Sequence, residues 1–261
     1  MIPIKAENLK LGYENAVIID DVTVEIPENK ITILIGANGC GKSTMLRSFA
    51  RLLKPKCGEI IINGRNISSI PNKQISKELG ILPQSPIVSG SLTVRELVEM
   101  GRFPYQTWRN KLSDEDQIIV NKALKSTQML EFADRTLDSL SGGQKQRAWI
   151  AMVLAQETDI ILLDEPTTYL DVTYQIDILD LLYKLNKEEG KTIVMVLHDL
   201  NLSCRYADYI IALKNKKIYK QGSPQEVITS KTVKDIFDLE CEIIQDPIYK
   251  TPYCIPYSKA I

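Results

Sequence analysis

A glycine-rich segment between a predicted strand and a predicted helix constrains the fold of this chain more than any other feature. Residues 36–44 (GANGCGKST) match the pattern G-x-x-x-x-G-K-[ST]. An apolar strand is predicted at 31–35, and apolar residues recur at helical spacing over 43–53, before Pro55. This succession is typical of a phosphate-binding loop in an α/β fold.

The chemistry of this segment, called the phosphate loop (36–44) below, follows from its backbone and two side chains. Glycines let successive N–H groups point inward around β- and γ-phosphates, at the positive end of the following helix. Lys42 adds a full charge, and the Ser43 hydroxyl can ligate Mg²⁺. A glycine turn with an accidental Gly-Lys-Ser is the alternative. The predicted phosphate-binding residues are Gly36, Ala37, Asn38, Gly39, Cys40, Gly41, Lys42, Ser43 and Thr44.

Strands and helices alternate along much of the chain. Residues 4–11 and 16–26 predict an antiparallel ribbon with a turn at Glu14 and Asn15. A short strand pair near 59–64, a helix at 71–78 and a strand at 80–84 follow, and two short strands are predicted after 208. Apolar strands at 159–164 and 192–198 flank a helix at 172–188, which predicts a parallel sheet.

The segment 85–158 has a different character from the rest of the chain. Helical patterns occur at 93–101, 114–130 and 143–156, with little strand signal between them. We predict an inserted helical subdomain here. The residues at 247–257 carry prolines and tyrosines in no interpretable pattern.

Two carboxylates end the apolar strand at 159–164. Asp164 and Glu165 would lie at the C-terminal edge of a parallel sheet, where ligands bind in open α/β folds. Adjacent residues face different ways, so Asp164 is suited to Mg²⁺ and Glu165 to orienting or deprotonating an attacking water. Alone, the pair is as well explained as an acidic N-cap.

A second anion site is predicted before the helix at 143–156. Ser141 offers a hydroxyl, and Gly142 and Gly143 offer backbone amides at a helix N-terminus. Taken alone, Ser-Gly-Gly is more often a flexible turn with an N-cap.

Composition excludes several classes of protein. The 32 Lys and Arg against 33 Asp and Glu give a net charge of -1, which provides no global attraction for nucleic acid. The five cysteines form no C-x-x-C pair, so neither a disulfide framework nor a zinc site is indicated, and a reducing cytosol is expected. The single histidine, His198, excludes multi-histidine metal centres. No apolar run approaches the ~18 residues of a membrane span.

Six motifs in a fixed order resemble the nucleotide-binding subunit of an ATP-binding-cassette (ABC) transporter. They are the phosphate loop, Gln84, Leu-Ser-Gly-Gly-Gln (140–144), IILLDEP (160–166), Tyr169-Leu170-Asp171 and His198. The resemblance extends from Tyr13 to about residue 225, and the ordered combination is highly specific. It implies ATP as the ligand and ATP hydrolysis as the activity.

The resemblance also implies a role for each matching residue. Tyr13 would stack on adenine, although a half-buried strand tyrosine is an equal alternative. The catalytic residues would be Glu165, His198 and Gln84, and the Mg²⁺ ligands Ser43, Gln84 and Asp164. Two subunits would face head to tail, so that Ser141, Gly142, Gly143 and Gln144 of one, called the signature segment (141–144), contact the ATP of the other, while Asp171 couples the two sites.

The fold expected on this basis is α/β, a P-loop NTPase (RecA-like) with a mostly parallel sheet, an N-terminal antiparallel β subdomain and an inserted helical subdomain. The ATP-binding domain would span 1–225. Its core with the β subdomain would comprise 1–84 and 159–240, its helical subdomain 85–158, and a C-terminal extension 241–261.

Within this family, the segments 92–106 and 140–172 resemble ATPases of iron(III)-siderophore, haem and cobalamin importers, and most closely the ferric hydroxamate (ferrichrome-type) group. Ala37 departs from the proline common there. The group implies a homodimer on the cytoplasmic face of the membrane, a separate permease and, indirectly, a substrate-binding lipoprotein. Haem or cobalamin import, or a soluble ATPase such as one for iron–sulfur assembly, are the alternatives.

Spacing disfavours other members of the family. Lys42 and Ser141 are 99 residues apart, which leaves no room for the coiled coil of chromosome-maintenance and DNA-repair ATPases. An aromatic and basic cluster is a predicted docking surface for the permease, with ordinary packing as an equal alternative. It comprises Arg102, Phe103, Tyr105, Trp108 and Arg109.

Overall fold

The computed structural model of the chain describes residues 2–84, 86, 91–106, 112–168 and 170–259. In chain order the strands are β1 (Ile4–Tyr13), β2 (Ala16–Ile26), β3 (Ile31–Gly36), β4 (Cys57–Ile62), β5 (Arg65–Asn66), β6 (Leu79–Leu82), β7 (Ile160–Asp164), β8 (Thr192–Val196), β9 (Tyr209–Lys214), β10 (Lys217–Gly222), β11 (Leu239–Gln245) and β12 (Pro252–Lys259). The α-helices are α1 (Lys42–Phe49), α2 (Asn72–Glu78), α3 (Val94–Met100), α4 (Asp114–Ser126), α5 (Gly142–Ala155), α6 (Val172–Glu189), α7 (Leu200–Tyr206), α8 (Pro224–Val227) and α9 (Ser230–Phe237).

A six-stranded sheet in the order β10-β9-β3-β8-β7-β6 forms the centre of the fold. The neighbours from β9 to β6 are parallel, and β10 is antiparallel to β9. Every residue of β3, β7 and β8 is buried. Both faces of these strands are covered, which explains why their sequences are continuously apolar rather than alternating. The predicted mostly parallel α/β fold is confirmed.

Alternate residues of β3 contribute to two separate apolar cores. Ile33 packs in the core that contains Leu179 and Leu182 of α6. Leu34 packs in the other core, with Met45 and Phe49 of α1. Helices therefore cover the sheet on both sides, and the loops that follow the strands meet at one edge.

A four-stranded antiparallel sheet in the order β2-β1-β4-β5 covers the α1 side of the molecule. β1 and β2 pair with Tyr13 opposite Ala16 across the turn, as the sequence predicts. The inward side chains Leu9, Leu11 and Ile19 belong to the same core as α1. The predicted N-terminal antiparallel β subdomain is confirmed.

The helical subdomain has an apolar core of its own. Side chains of α3, α4 and α5 meet there, including Leu97, Leu124, Ala148 and Ala151. The prediction of an inserted helical subdomain is confirmed. Within the part of the chain that the structure describes, every helix is too short or too polar to span a bilayer.

Two helices end earlier than their apolar patterns predict. α1 ends at Phe49 rather than 53, because Arg51 adopts a left-handed conformation (φ 60°) and the Leu52 N–H donates to the Arg47 carbonyl at 2.8 Å. α4 ends at Ser126 rather than 130, before Gln128, which is also left-handed (φ 58°). Beyond these ends the apolar residues differ in burial: Leu53 and Met129 pack in apolar cores, whereas Leu52 and Leu130 are exposed.

The uninterpreted residues at 247–257 belong to a C-terminal hairpin of β11 and β12, with Ile244 opposite Tyr253. Asn201 of α7 holds this hairpin, because its amide accepts from the Cys254 N–H at 2.7 Å and donates to the Cys254 carbonyl at 3.2 Å. The predicted boundary at 241 falls inside β11.

Candidate nucleotide-binding site

Four neighbouring parallel strands end at the same edge of the central sheet and bring the polar motifs together. Gln84 follows β6, Asp164 and Glu165 end β7, His198 follows β8, and the phosphate loop follows β3. The carboxyl ends of parallel strands are where open α/β sheets bind ligands. A cleft of about 480 Å³ opens there, lined by Ile18, Asn38, Gly39, Gly41, Lys42, Ser43, Thr44, Gln84, Glu165 and His198.

The phosphate loop has a backbone conformation that requires glycine at two positions. Gly39 (φ 77°) and Gly41 (φ 108°) are left-handed, and a Cβ on Gly41 would lie 2.6 Å from Ile19 Cδ1. Lys42 is buried, and its Nζ donates to the carbonyls of Gly36 at 2.8 Å and Ala37 at 3.1 Å. The ammonium group is thus held inside the loop, where a phosphate can replace backbone carbonyls as its partner.

Asp164 lies at the floor of the site and is 1% exposed. Its Oδ1 accepts from Ser43 Oγ at 2.7 Å, whereas its buried Oδ2 has no hydrogen-bond partner among the described residues. Burial raises the pKa of this carboxyl. A buried carboxylate oxygen without a partner, beside a hydroxyl, fits a hard divalent cation.

Glu165 has a left-handed backbone (φ 55°), and its carboxylate has different partners from that of Asp164. Gln84 Nε2 donates to its Oε2 at 2.7 Å, and His198 Nε2 lies 2.7 Å from its Oε1. Burial raises the pKa of Glu165, but the hydrogen bonds from His198, Thr168 and Gln84 outweigh burial, so the pKa is lowered. The carboxylate is therefore ionised and oriented at neutral pH.

Thr168 is a residue of this site that the sequence did not reveal. Its Oγ1 donates to Glu165 Oε2 at 3.0 Å, and its N–H donates to the Glu165 carbonyl at 3.3 Å. A hydroxyl three residues after a carboxylate in a turn was the available signal.

The comparison with known families decides the identity of this cleft. The sequence profile of the ABC transporter family matches residues 19–168, which is more than half of the chain. The chain belongs to the ABC transporter family. As an ABC ATP-binding subunit it binds and hydrolyses ATP, in agreement with the prediction.

Relatives of this ABC ATPase match it along almost its whole length. The petrobactin import ATP-binding protein FpuD of Bacillus anthracis is 57% identical, over 98% of this chain and 94% of its own. The iron(3+)-hydroxamate import ATP-binding protein FhuC of Bacillus subtilis (strain 168) is 48% identical, over 98% of this chain and 96% of its own. A solved dimeric structure of MJ0796, a bacterial ABC transporter cassette, is 33% identical, with a TM-score of 0.75 over 84% of this chain and 98% of that one.

The signature segment of this ABC ATPase lies outside the cleft. Ser141 is the N-cap of α5, where its Oγ accepts from the Gln144 N–H at 3.3 Å and Gln144 Oε1 accepts from the Ser141 N–H at 3.0 Å. Ser141 and Gly142 are exposed, and none of 141–144 is among the described residues that line the cleft. Within one chain, the structure does not bring the two predicted anion sites together.

Tyr13 and Asp171 also lie outside the cleft lining. Tyr13 ends β1 and is 45% exposed, and Arg47 Nη1 donates to its hydroxyl at 3.5 Å. Asp171 is exposed and is the N-cap of α6, where its Oδ1 accepts from the Tyr174 N–H at 3.0 Å. Their roles at adenine and at a dimer contact stay predictions.

The described residues of the predicted docking cluster, Arg102, Phe103 and Tyr105, do not form one surface. Arg102 is 4% exposed and bonds inward, to Asp116 Oδ1 at 2.7 Å, the Ala155 carbonyl at 2.8 Å and Glu157 Oε2 at 3.0 Å. Its inclusion in a docking surface was wrong, because a guanidinium with three internal acceptors is a packing element. Phe103 is exposed and Tyr105 is half-buried; Trp108 and Arg109 lie outside the described residues.

Proposed function

We propose that this ABC ATPase works as an ATP-sandwich homodimer and powers import of an iron(III)-siderophore of the ferric hydroxamate type through separate permease subunits. The ionised Glu165 carboxylate, held by His198 and Gln84 beside the phosphate loop, carries the hydrolytic part of the proposal. A carboxylate in this place can orient a water and accept its proton.

The side chains of the cleft divide the work on ATP. Lys42 and the amides of the phosphate loop bind the β- and γ-phosphates, and Glu165 holds the attacking water in line. His198, which contacts Oε1 of Glu165, would contact the γ-phosphate. Ser43 and Asp164, with the amide oxygen of Gln84, would hold Mg²⁺, which when bound neutralises charge on the phosphates.

The dimer supplies what one chain lacks. The signature segment presents amides at the N-terminus of a 14-residue helix, exposed and away from its own cleft, so a second chain is needed to bring them to a γ-phosphate. The dimeric cassette MJ0796 supports this arrangement. ATP then joins the subunits, and loss of the γ-phosphate releases them.

The import role of the proposal rests on the relatives. FpuD and FhuC are named as import ATP-binding proteins, for petrobactin and for iron(3+)-hydroxamate. We infer the same class of cargo here, delivered by a substrate-binding lipoprotein, with the ATPase attached peripherally to its permease at the cytoplasmic face. The cargo need not touch this chain, because the permease lies between them.

Uptake in a strain that lacks this chain tests the proposal. Labelled ferrichrome, ferric petrobactin, haem and cobalamin are supplied separately, and the strain is complemented with the wild type or with Glu165→Gln. We expect ferrichrome uptake to be lost, restored by the wild type and not restored by Glu165→Gln. Loss of haem or cobalamin uptake alone would reassign the cargo, and unchanged uptake of all four would exclude this import role.

A further inference from the structure

The first turn of α5 packs against the first turn of α6 through one aromatic ring. A Cβ added to Gly143 would lie 2.9 Å from Cγ of Tyr174, so this glycine rests directly on the tyrosine ring. One turn along α5, the Arg147 guanidinium carbon lies 5.5 Å from the centre of the same ring. The signature segment therefore begins on the face of Tyr174.

Arg147 fixes this contact from a second side. Its Nη2 lies 2.5 Å from Asp177 Oδ2 on α6, and its Nη1 donates to Gln128 Oε1 at 2.8 Å. The side chain of Arg147 is only 14% exposed. Positions 143 and 147 lie four apart on α5, and 174 and 177 three apart on α6, so each pair projects from one helical face. The two helices are held in register over a full turn.

Tyr174 is also tied to the loop that carries the catalytic carboxylate. Its N–H donates to Oδ1 of Asp171, the N-cap of α6, which follows Glu165 by six residues. Thr168, between the two in sequence, donates to the Glu165 carboxylate. Tyr174 therefore contacts both the start of α5 and the residue at which α6 begins after the catalytic carboxylate.

We propose that Tyr174 and Arg147 are positioning residues, which set the signature segment that this chain offers to the second subunit's ATP. The inference rests on the composite two-chain site of the proposed function. Tyr174 is placed to act on the ATP site to which its chain contributes 141–144, rather than on the site formed by its own phosphate loop.

The closeness of the contact gives the physical reason. Gly143 leaves no gap at the ring, so movement or loss of the ring moves the start of α5 and with it the amides of the signature segment. A misplacement of about 1 Å in a phosphate-stabilising group costs about a hundredfold in rate. The cleft of the same chain keeps all of its own ligating side chains.

Mixed dimers separate the two ATP sites. Every chain carries Glu165→Gln, so that bound ATP is not hydrolysed. Each of the two chains carries a different affinity tag, and purification on both tags isolates dimers that contain one of each. The amount of ATP bound per dimer is then measured after rapid desalting. One dimer combines Tyr174→Ala with Lys42→Ala, which leaves the phosphate loop of the Tyr174→Ala chain facing an unaltered signature segment. We expect about one ATP per dimer, since one site is whole.

The second dimer combines Tyr174→Ala with Ser141→Arg. Its only remaining signature segment belongs to the Tyr174→Ala chain, and we expect ATP retention at least about tenfold lower. Tyr174→Phe with Ser141→Arg keeps the ring and is expected to retain about one ATP, which shows that the ring is what matters.

Two outcomes would overturn the inference. If the second dimer retained ATP and the first did not, Tyr174 would act on the cleft of its own chain. If both dimers retained equal amounts of ATP, Tyr174 would not act on the signature segment. A dimer of Lys42→Ala with Ser141→Arg contains one whole site and no change at Tyr174. If that dimer held no ATP, the composite site itself, and the inference with it, would fall.

Discussion

Buried charges behave differently in the cleft and in the helical subdomain. In the cleft, Asp164 Oδ2 has no hydrogen-bond partner among the described residues, and Lys42 bonds the carbonyls of its own loop. In the helical subdomain, Arg102 has three acceptors at 2.7–3.0 Å and lies over the Tyr105 ring at 3.9 Å. Burial of a charge therefore does not by itself mark function. In these two regions, the buried carboxylate that lacks a partner for one oxygen lies at the candidate site, whereas the buried guanidinium with three acceptors does not.

The signature segment is an intermediate case. Its capping box pairs the N–H groups of Ser141 and Gln144 within the chain, but not those of Gly142 and Gly143, and Ser141 and Gly142 are exposed. A capping box at an exposed helix start can stabilise the helix within its own chain. The free amides of the same helix start can bind an anion held by a second chain.

The largest expected effect on hydrolysis comes from the cleft. Glu165→Gln removes the proton acceptor but keeps the shape of the side chain, so we expect kcat to fall by ~10² to 10⁴ with ATP binding retained. An ATP-bound dimer should accumulate in size-exclusion chromatography. Glu188→Gln, which makes the same change at an exposed position on α6, is the control. Normal turnover of Glu165→Gln would contradict the assignment of Glu165 as the base.

A smaller effect is expected from the signature segment. Ser141→Arg blocks one group of amides aimed at the second subunit's ATP and should lower kcat by about 10² while the isolated chain still binds ATP. Ser223→Arg removes the serine of the α8 capping box, whose partner Glu226 is exposed, and serves as the control, since both variants lose about 1 kcal/mol of capping. Equal turnover of the two variants would show that 141–144 only caps a helix.

The smallest effect on hydrolysis is expected from Arg102→Ala. Because it leaves Asp116 buried without its ion pair, we expect a loss of about 3 kcal/mol in the free energy of unfolding, measured with urea, and nearly normal kcat per folded molecule. Arg65→Ala breaks an exposed pair with Glu78 and should cost less than about 1 kcal/mol.

The stability lost in Arg102→Ala should also depend on pH. Burial raises the pKa of Asp116, but hydrogen bonds from Ser113 and Arg102 outweigh it, so the pKa lies below its ordinary value of 3.8. The ionised carboxyl stabilises the fold above that value, and the contribution is lost as pH falls through the folded pKa. The difference in the free energy of unfolding between the wild type and Arg102→Ala should therefore become smaller at acid pH.

A different result would contradict the assignment of Arg102 to packing. If Arg102→Ala kept the stability of the wild type and hydrolysed ATP without supporting uptake, Arg102 would belong to the docking surface.

Local patterns predicted the elements well where one physical cause dominates. The continuous apolar runs of β3, β7 and β8 follow from burial on both faces, and the phosphate loop is recognisable because its backbone requires glycine. The ends of α1 and α4 were predicted too late, since Leu52 and Leu53 follow the helical period although a left-handed Arg51 ends the helix. The hairpin of β11 and β12 was missed because its partner, Asn201, lies 53 residues away from Cys254.

The sequence by itself determined the family, the α/β fold and the residue types for phosphate binding and hydrolysis, because these depend on short patterns whose chemistry is local. The tertiary structure decided which charges face the ligand and which face the core. It assigned Asp164 to the cleft and Arg102 to the core of the helical subdomain. It also added Thr168 to the site and placed Tyr174 against the start of the signature segment. Such decisions depend on contacts between residues distant in the chain, and no local pattern encodes which partner a buried group will meet.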